Sequence, residues 1–197
     1  MRLRSLVVVT SLLLTGCAST SNVSTSTFTP AATTSSTSTS TTPTPSTSVS
    51  VGSTADRSKT FAVVLPQGWK AASPGPPGAV LAITSEQPTD DVFTAFSVVS
   101  TKSVKGQSTD DLAAAGAVQM RQVGAKVAPV ADRMIGGQPA SGYRAERTVK
   151  DKKVAQTQFY VQHGDQVFVT TTTSALGARA AADGVVNSIL GTWAWTK

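Results

Sequence analysis

Two carboxylate pairs and one histidine are the side chains whose types could support acid–base chemistry. The pairs are Asp90-Asp91 and Asp110-Asp111, and His163 is the only histidine of the chain. Paired carboxylates can move protons or hold a cation when they converge in a cleft. Their surroundings favour structural roles, because Asp110-Asp111 suits the first turn of a helix, and Asp90-Asp91 and His163 fall in predicted turns. We therefore predict no catalytic residue, no metal site, no cofactor and no enzymatic activity.

Catalytic motifs with recognisable spacing are also missing from the sequence. It contains no Gly-x-Ser-x-Gly elbow, no His-Glu-x-x-His pair and no phosphate-binding glycine loop. A hydrolase acting on wall or lipid would need a nucleophile with a nearby base, and His163 is the only histidine available. A hydrolase is therefore the weakest functional hypothesis.

Cys17, the only cysteine, has a chemical role that its neighbours predict. It follows Leu14, Thr15 and Gly16 at the end of a nine-residue apolar run, 6–14, which Arg2 and Arg4 precede. This arrangement resembles the bacterial lipobox, at which a diacylglyceryl group is attached to the cysteine sulfur and the chain is cut before that cysteine. The run is far shorter than the roughly 20 residues of a membrane-spanning helix. We predict a signal peptide over 1–16 and a lipoprotein anchored through diacylglyceryl and N-acyl (palmitate) chains on Cys17 to the extracytoplasmic face of the cell membrane.

Charge argues against a nucleic-acid partner. The chain has 17 Lys plus Arg and 11 Asp plus Glu, and loss of Arg2 and Arg4 with the signal peptide leaves a net charge of +4. A nucleic-acid-binding domain usually concentrates its cations on one face or in a recognition motif. We predict a membrane partner through the lipid, together with an envelope protein or a lipid.

Cations and tryptophans are the remaining candidate binding residues. The cations cluster around one predicted hairpin, where Glu146 and Asp151 dilute them, so a solvated hairpin is favoured over a docking patch. The tryptophans lie near the two ends of the predicted domain, where core packing is favoured over ligand binding. The candidates are Arg144, Arg147, Lys150, Lys152, Lys153, Trp69, Trp193 and Trp195.

Composition divides the mature chain into a tether and one domain. Residues 18–54 contain 25 Ser or Thr among 37 and no charged side chain, which predicts a disordered stalk over 17–57. As a flexible coil the stalk would reach about 35 Å from the membrane. Residues 58–197 are rich in aromatic and β-branched residues and predict a single domain with its own core.

Hydrophobic periodicity predicts an α+β domain, with an antiparallel sheet of about six or seven strands covered by two helices. Helix 108–123 begins at a hydroxyl followed by carboxylates, and helix 176–190 carries one apolar stripe. Few helices separate the strands, which excludes a doubly wound parallel sheet. The predicted strands are 60–65, 79–84, 92–101, 126–135, 140–149, 154–162 and 167–173.

The order and spacing of several short segments carry a family resemblance. They are 61–69 (Phe-Ala-Val-Val-Leu-Pro-Gln-Gly-Trp), 137–140 (Gly-Gln-Pro-Ala), the Gln-rich and aromatic strand 156–161, 169–172 (Val-Thr-Thr-Thr) and 186–190 (Val-Asn-Ser-Ile-Leu). In this order they resemble the LpqN/LpqT-type lipoproteins of actinobacteria across essentially the whole domain. The resemblance implies a PsbP-like α+β fold and a role in cell-envelope biogenesis, with no catalytic residues to transfer.

Two functional hypotheses follow. The first is a noncatalytic binding domain that assists envelope proteins. The alternative is a lipid or glycolipid carrier with an apolar cavity beneath a helix that is rich in Ala and Gly. A lined cavity would favour the carrier, whereas a packed core would favour the binding domain.

Overall fold

A computed structural model describes residues 52–55, by their backbone, and 59–196; the predicted signal peptide, Cys17 and most of the predicted stalk lie outside these residues. Gly52–Ala55 form a strand inside the segment that composition assigns to the stalk. The elements in chain order are β1 (Gly52–Ala55), β2 (Phe61–Leu65), β3 (Trp69–Ala71), β4 (Ala79–Thr89), β5 (Val92–Lys102), α1 (Thr109–Gln122), β6 (Lys126–Pro129), β7 (Arg133–Ile135), β8 (Gln138–Val149), β9 (Lys152–His163), β10 (Gln166–Ala175), α2 (Arg179–Gly191) and β11 (Ala194–Trp195).

A large antiparallel sheet organises the described residues. Its strand order is β3-β4-β5-β10-β9-β8-β6, with β7 also paired to β8, which makes eight strands. The predicted α+β class with an antiparallel sheet and two helices is confirmed. One predicted strand, 126–135, is divided into β6 and β7, which pair with different parts of β8. A second, three-stranded sheet consists of β1, β2 and β11.

The two helices cover opposite faces of the large sheet. Tyr143 of β8 and Tyr160 of β9 point toward α1, where they approach Gly116. Arg144 follows Tyr143 in β8 and pairs with Asp183 of α2. Because successive side chains of a strand point to opposite faces, α1 and α2 lie on different sides of the sheet.

The main core lies on the α2 side. Phe61, Phe96 and Phe168 are completely buried there, between the large sheet, the small sheet and α2. Ala182, Val186, Ile189 and Leu190 of α2 are also buried, as their spacing on the predicted apolar stripe requires. This face of the sheet is therefore closed by large side chains.

Helix α1 begins where the sequence predicts. Ser108 is its N-cap: the Ser108 hydroxyl accepts from the Asp111 backbone N–H, and Asp111 accepts from the Ser108 backbone N–H. The Ser108 backbone N–H and the Ser108 hydroxyl both donate to the Asp111 carboxylate and hold the pKa of that carboxyl below its usual value. The predicted place of Asp110 and Asp111 in the first turn of a helix is therefore confirmed. Val123, the last residue of the predicted helix 108–123, follows the last helical residue of the structure and is 63% exposed.

Candidate binding site

Some of the candidate carboxylates and lysines, which are far apart in the sequence, lie close together in the structure. Asp91, in the turn between β4 and β5, forms an ion pair with Lys152 of β9 at 2.8 Å. Lys152 lowers the pKa of the Asp91 carboxyl, chiefly through this hydrogen bond. Lys152 also lines a cleft together with Asp90 and Gly177. Both partners are well exposed, so the pair links two turns with little effect on stability.

The basic hairpin does not present its cations as one patch. Arg144 faces α2 and pairs with Asp183 at 2.7 Å, whereas Lys152 pairs with Asp91 at the far end of the hairpin. Arg147 is half-buried, and Lys150 and Lys153 are exposed near the turn. The structure thus separates the candidate cations over two places.

The C-terminal tryptophans belong to an aromatic cluster. Trp193 is buried and stacks on Phe61 with ring centroids 3.9 Å apart. Trp195 is half-buried and stacks on His163 at 4.1 Å. The two indoles contact each other at 5.2 Å, so they do share a face, and that face packs against the core. Trp69 is also partly buried against the core.

An open cleft lies on the other side of the sheet, between α1 and the strand at that edge, β6. Its volume is about 430 Å³, within the usual range of ligand pockets. Small side chains make up most of its walls, to which Ser141, Gly142 and Tyr143 of β8 also contribute, and three charged residues line it as well: Asp110, Arg121 and Asp132. The wall residues include Ala113, Ala114 and Ala117 of α1 and Val127, Pro129 and Val130 of the edge.

A buried polar layer supports the helix beside this cleft. The hydroxyls of Tyr143 and Tyr160 both donate to the side-chain oxygen of Gln158, at 2.7 and 3.1 Å. Burial raises the pKa of both phenols, so both stay neutral at physiological pH. Ser141 donates to Asp110 at the start of α1. These groups position α1 rather than act as acids or bases.

Gly116 allows α1 to lie this close to the sheet. A Cβ at this position would overlap the Tyr160 hydroxyl and lie 2.9 Å from a ring carbon of Tyr143. Both tyrosines are held by Gln158 and cannot easily move away. The close packing of α1 on the sheet therefore depends on a glycine at a position where helix propensity would favour alanine.

We expect Gly116→Ala to lower the free energy of unfolding by about 1 to 3 kcal/mol, because the added methyl group overpacks the helix against the sheet. Gly184→Ala in α2 is the matched control, because a Cβ there meets nothing within 4 Å. That change should raise stability by about 0.5 to 1 kcal/mol through helix propensity. Urea unfolding followed by circular dichroism measures both. If both substitutions changed the free energy of unfolding equally, the close approach of Gly116 to Tyr143 and Tyr160 would be contradicted.

Sequence reasoning missed most of the cleft. It noted that the packing face of α1 carries Ala and Gly, but it did not single out Arg121, Asp132 or the segment after β6 as candidate residues. The alanines of α1 were the available signal, because they leave space unless a larger side chain from elsewhere fills it. Only the tertiary structure shows that the space is open.

The architecture defines the chain as an α+β protein, with an antiparallel sheet between two helices. No protein-family model matches it, and no curated protein matches its sequence.

Two solved structures share the fold. LpqN, involved in cell envelope biogenesis of Mycobacterium tuberculosis, superposes with a TM-score of 0.52 at 15% identity, over 76% of this chain and 87% of LpqN. The cyanobacterial PsbP of Synechocystis superposes with a TM-score of 0.50 at 13% identity, over 78% of this chain and 97% of that protein. The resemblance predicted from the sequence is therefore confirmed in the fold.

Proposed function

We propose that this chain is a lipid-anchored protein of the extracytoplasmic membrane face whose domain binds protein partners without catalysing a reaction and assists cell-envelope biogenesis. The observation that carries the proposal is the contrast between the two faces of the sheet. Large side chains fill the α2 side, whereas the α1 side leaves a cleft lined mostly by small side chains. We assign partner binding to this cleft.

The structural contacts of the acid–base groups support a noncatalytic role for the domain. Asp111 caps α1, Asp110 accepts from Ser141, and Asp91 pairs with Lys152. His163 lies flat against Trp195. Among residues 59–196, no three His, Cys, Asp or Glu side chains are grouped to hold a metal ion. The groups that could do chemistry are thus used to hold structure.

The envelope role rests on two observations of different kinds. The fold is shared with LpqN, a protein involved in cell envelope biogenesis. The lipobox at 14–17 predicts an anchor on the outer face of the membrane. In the described part of the chain, neither helix is long and apolar enough to cross a bilayer. Attachment is therefore assigned to Cys17.

The cleft favours a protein partner over a lipid cargo. It opens to solvent and has Asp110, Arg121 and Asp132 among its lining residues. A carrier would need to shield acyl chains from water, which a packed α2 side and an open α1 side do not provide. Binding of another polypeptide, which itself covers the cleft, suits this shape better.

Photo-crosslinking in intact cells tests the proposal. A photoreactive amino acid at the position of Ala114, which is exposed on the cleft wall, should give a defined protein adduct. The same probe at Ser188, exposed on α2, is the control and should give none. Mass spectrometry identifies the adduct and distinguishes a protein from a lipid. A lipid adduct from Ala114, or no adduct from it, would overturn partner binding at the cleft.

A further inference from the structure

The cleft has ends of opposite charge. Helix α1 runs alongside β8 in the same direction, because Asp110 contacts Ser141 near the start of the helix and Gly116 lies over Tyr143 further along. Asp110 therefore marks one end of the cleft and Arg121 the other. At 1.5 Å per residue, these two positions are about 16 Å apart along the helix.

Both ends keep charge that the protein itself does not neutralise. Arg121 and Asp132 are exposed, and neither forms an ion pair with another described residue. Asp132 joins Asp110 among the lining residues and adds a second carboxylate. An occupant with a cation toward Asp132 and an anion toward Arg121 would complement these charges.

The wall opposite α1 is the edge of the sheet. Strand β6 is outermost, and β6 and β7 pair with β8 on either side of Ser141 and Gly142. An edge strand presents backbone groups to which an extended peptide can add. Extended chain advances about 3.3 Å per residue, so five steps cover about 16 Å, the length between the charged ends.

The wall chemistry limits the side chains of such a peptide. Ala113, Ala117 and Val127 line the cleft with small apolar side chains. A peptide with small apolar residues between its charged ends would fit this surface.

We propose that the cleft between α1 and β6 binds an extended peptide segment of a partner protein, with small apolar residues flanked by a basic residue at one end and an acidic residue at the other. This inference rests on the proposed function and specifies the partner's chemistry. The basic end lies at Asp110 and Asp132, and the acidic end lies at Arg121.

Binding of designed peptides to the purified full chain in detergent tests the charge pattern. The probes are two fluorescent, end-blocked hexapeptides, Lys-Val-Ala-Val-Ala-Asp and Lys-Val-Ala-Val-Ala-Lys, compared by fluorescence anisotropy. We expect the first to bind the wild type about fivefold more tightly, because the second places a lysine at Arg121. Arg121→Glu makes both ends acidic and should invert this preference.

Two controls make the result specific to the cleft. Lys102→Glu carries the same charge change on an exposed position of β5 outside the cleft and should leave the preference unchanged. Ala114→Trp should weaken both peptides about tenfold or more by filling the cleft. Equal affinity of the two peptides for the wild type, an unchanged preference in Arg121→Glu, or no detectable binding would overturn the peptide inference. A protein adduct from Ala114 without peptide binding would leave the proposed function standing and reject only this inference.

Discussion

Cys17→Ser should remove the lipid from this protein completely. We predict that Leu14, Thr15 and Gly16, which resemble a lipobox, direct a diacylglyceryl group to the cysteine sulfur, and a serine hydroxyl cannot form that thioether. Buried acyl chains contribute about 0.8 kcal/mol per methylene, so two or three chains give a durable anchor and their loss an all-or-none effect. Metabolic labelling with a palmitate analogue should mark the wild type and leave Cys17→Ser unlabelled.

Intact mass gives a second readout of the same change. The wild-type chain should begin at Cys17 and carry the mass of its acyl groups, whereas Cys17→Ser should carry none. Ser19→Ala, two residues beyond the lipobox, is the matched control and should be labelled like the wild type. Labelling that persists in Cys17→Ser would contradict lipid attachment at this residue. A wild-type chain cut elsewhere would contradict the lipobox.

The elements that local sequence specifies were predictable. Helix α1 starts after Ser108 because the capping hydroxyl and Asp111 are only three residues apart. Helix α2 follows its apolar stripe, and the antiparallel sheet follows the alternation of its strands. Helix α2 begins at Arg179, three residues later than predicted. These features depend on residues within a few positions of each other.

The cleft depends on distant residues and could not be predicted in the same way. Asp110 and Asp132 line the same cleft because β6 and β7 meet β8 beside the start of α1. The sequence shows no break at 130–132 and therefore predicts a single strand over 126–135. In the structure these residues separate β6 from β7. The number of residues between a helix and a strand does not show which edge of the sheet the helix approaches.

Ion pairs between distant residues could not be predicted from the sequence for the same reason. Lys152 and Asp91 lie 61 residues apart, and only the neighbouring positions of two turns bring them within 2.8 Å. Composition favoured a solvated hairpin over a docking patch, but it could not show that Arg144 and Lys152 each pair with a distant carboxylate. The tryptophans illustrate the same limit, since Trp193 stacks on Phe61, which lies at the other end of the domain in the sequence.

Phe61→Ala should lower the free energy of unfolding by about 3 to 5 kcal/mol. Phe61 is completely buried, stacks on Trp193 at 3.9 Å and meets Phe168 edge-on at 5.7 Å. It also pairs with Trp195 across β2 and β11, so it joins the small sheet to the main core. The cavity left by an alanine would face the large sheet and aromatic rings on several sides, where little can collapse into it. Such a loss is a large fraction of the roughly 5 to 15 kcal/mol that stabilises a typical domain.

Phe93→Ala provides the matched control for this prediction, because the same side chain is removed from a position that is 44% exposed. That change should cost about 1 kcal/mol or less, since much of the Phe93 ring is already in water. Urea unfolding followed by circular dichroism at 25 °C compares the two variants without relying on tryptophan fluorescence, which Phe61 itself could affect. Similar losses in both variants, or a loss below about 1 kcal/mol for Phe61→Ala, would mean that the aromatic cluster does not anchor the α2 side of the sheet. A large loss at Phe61 alone would support the packed side on which the assignment of binding to the α1 cleft depends.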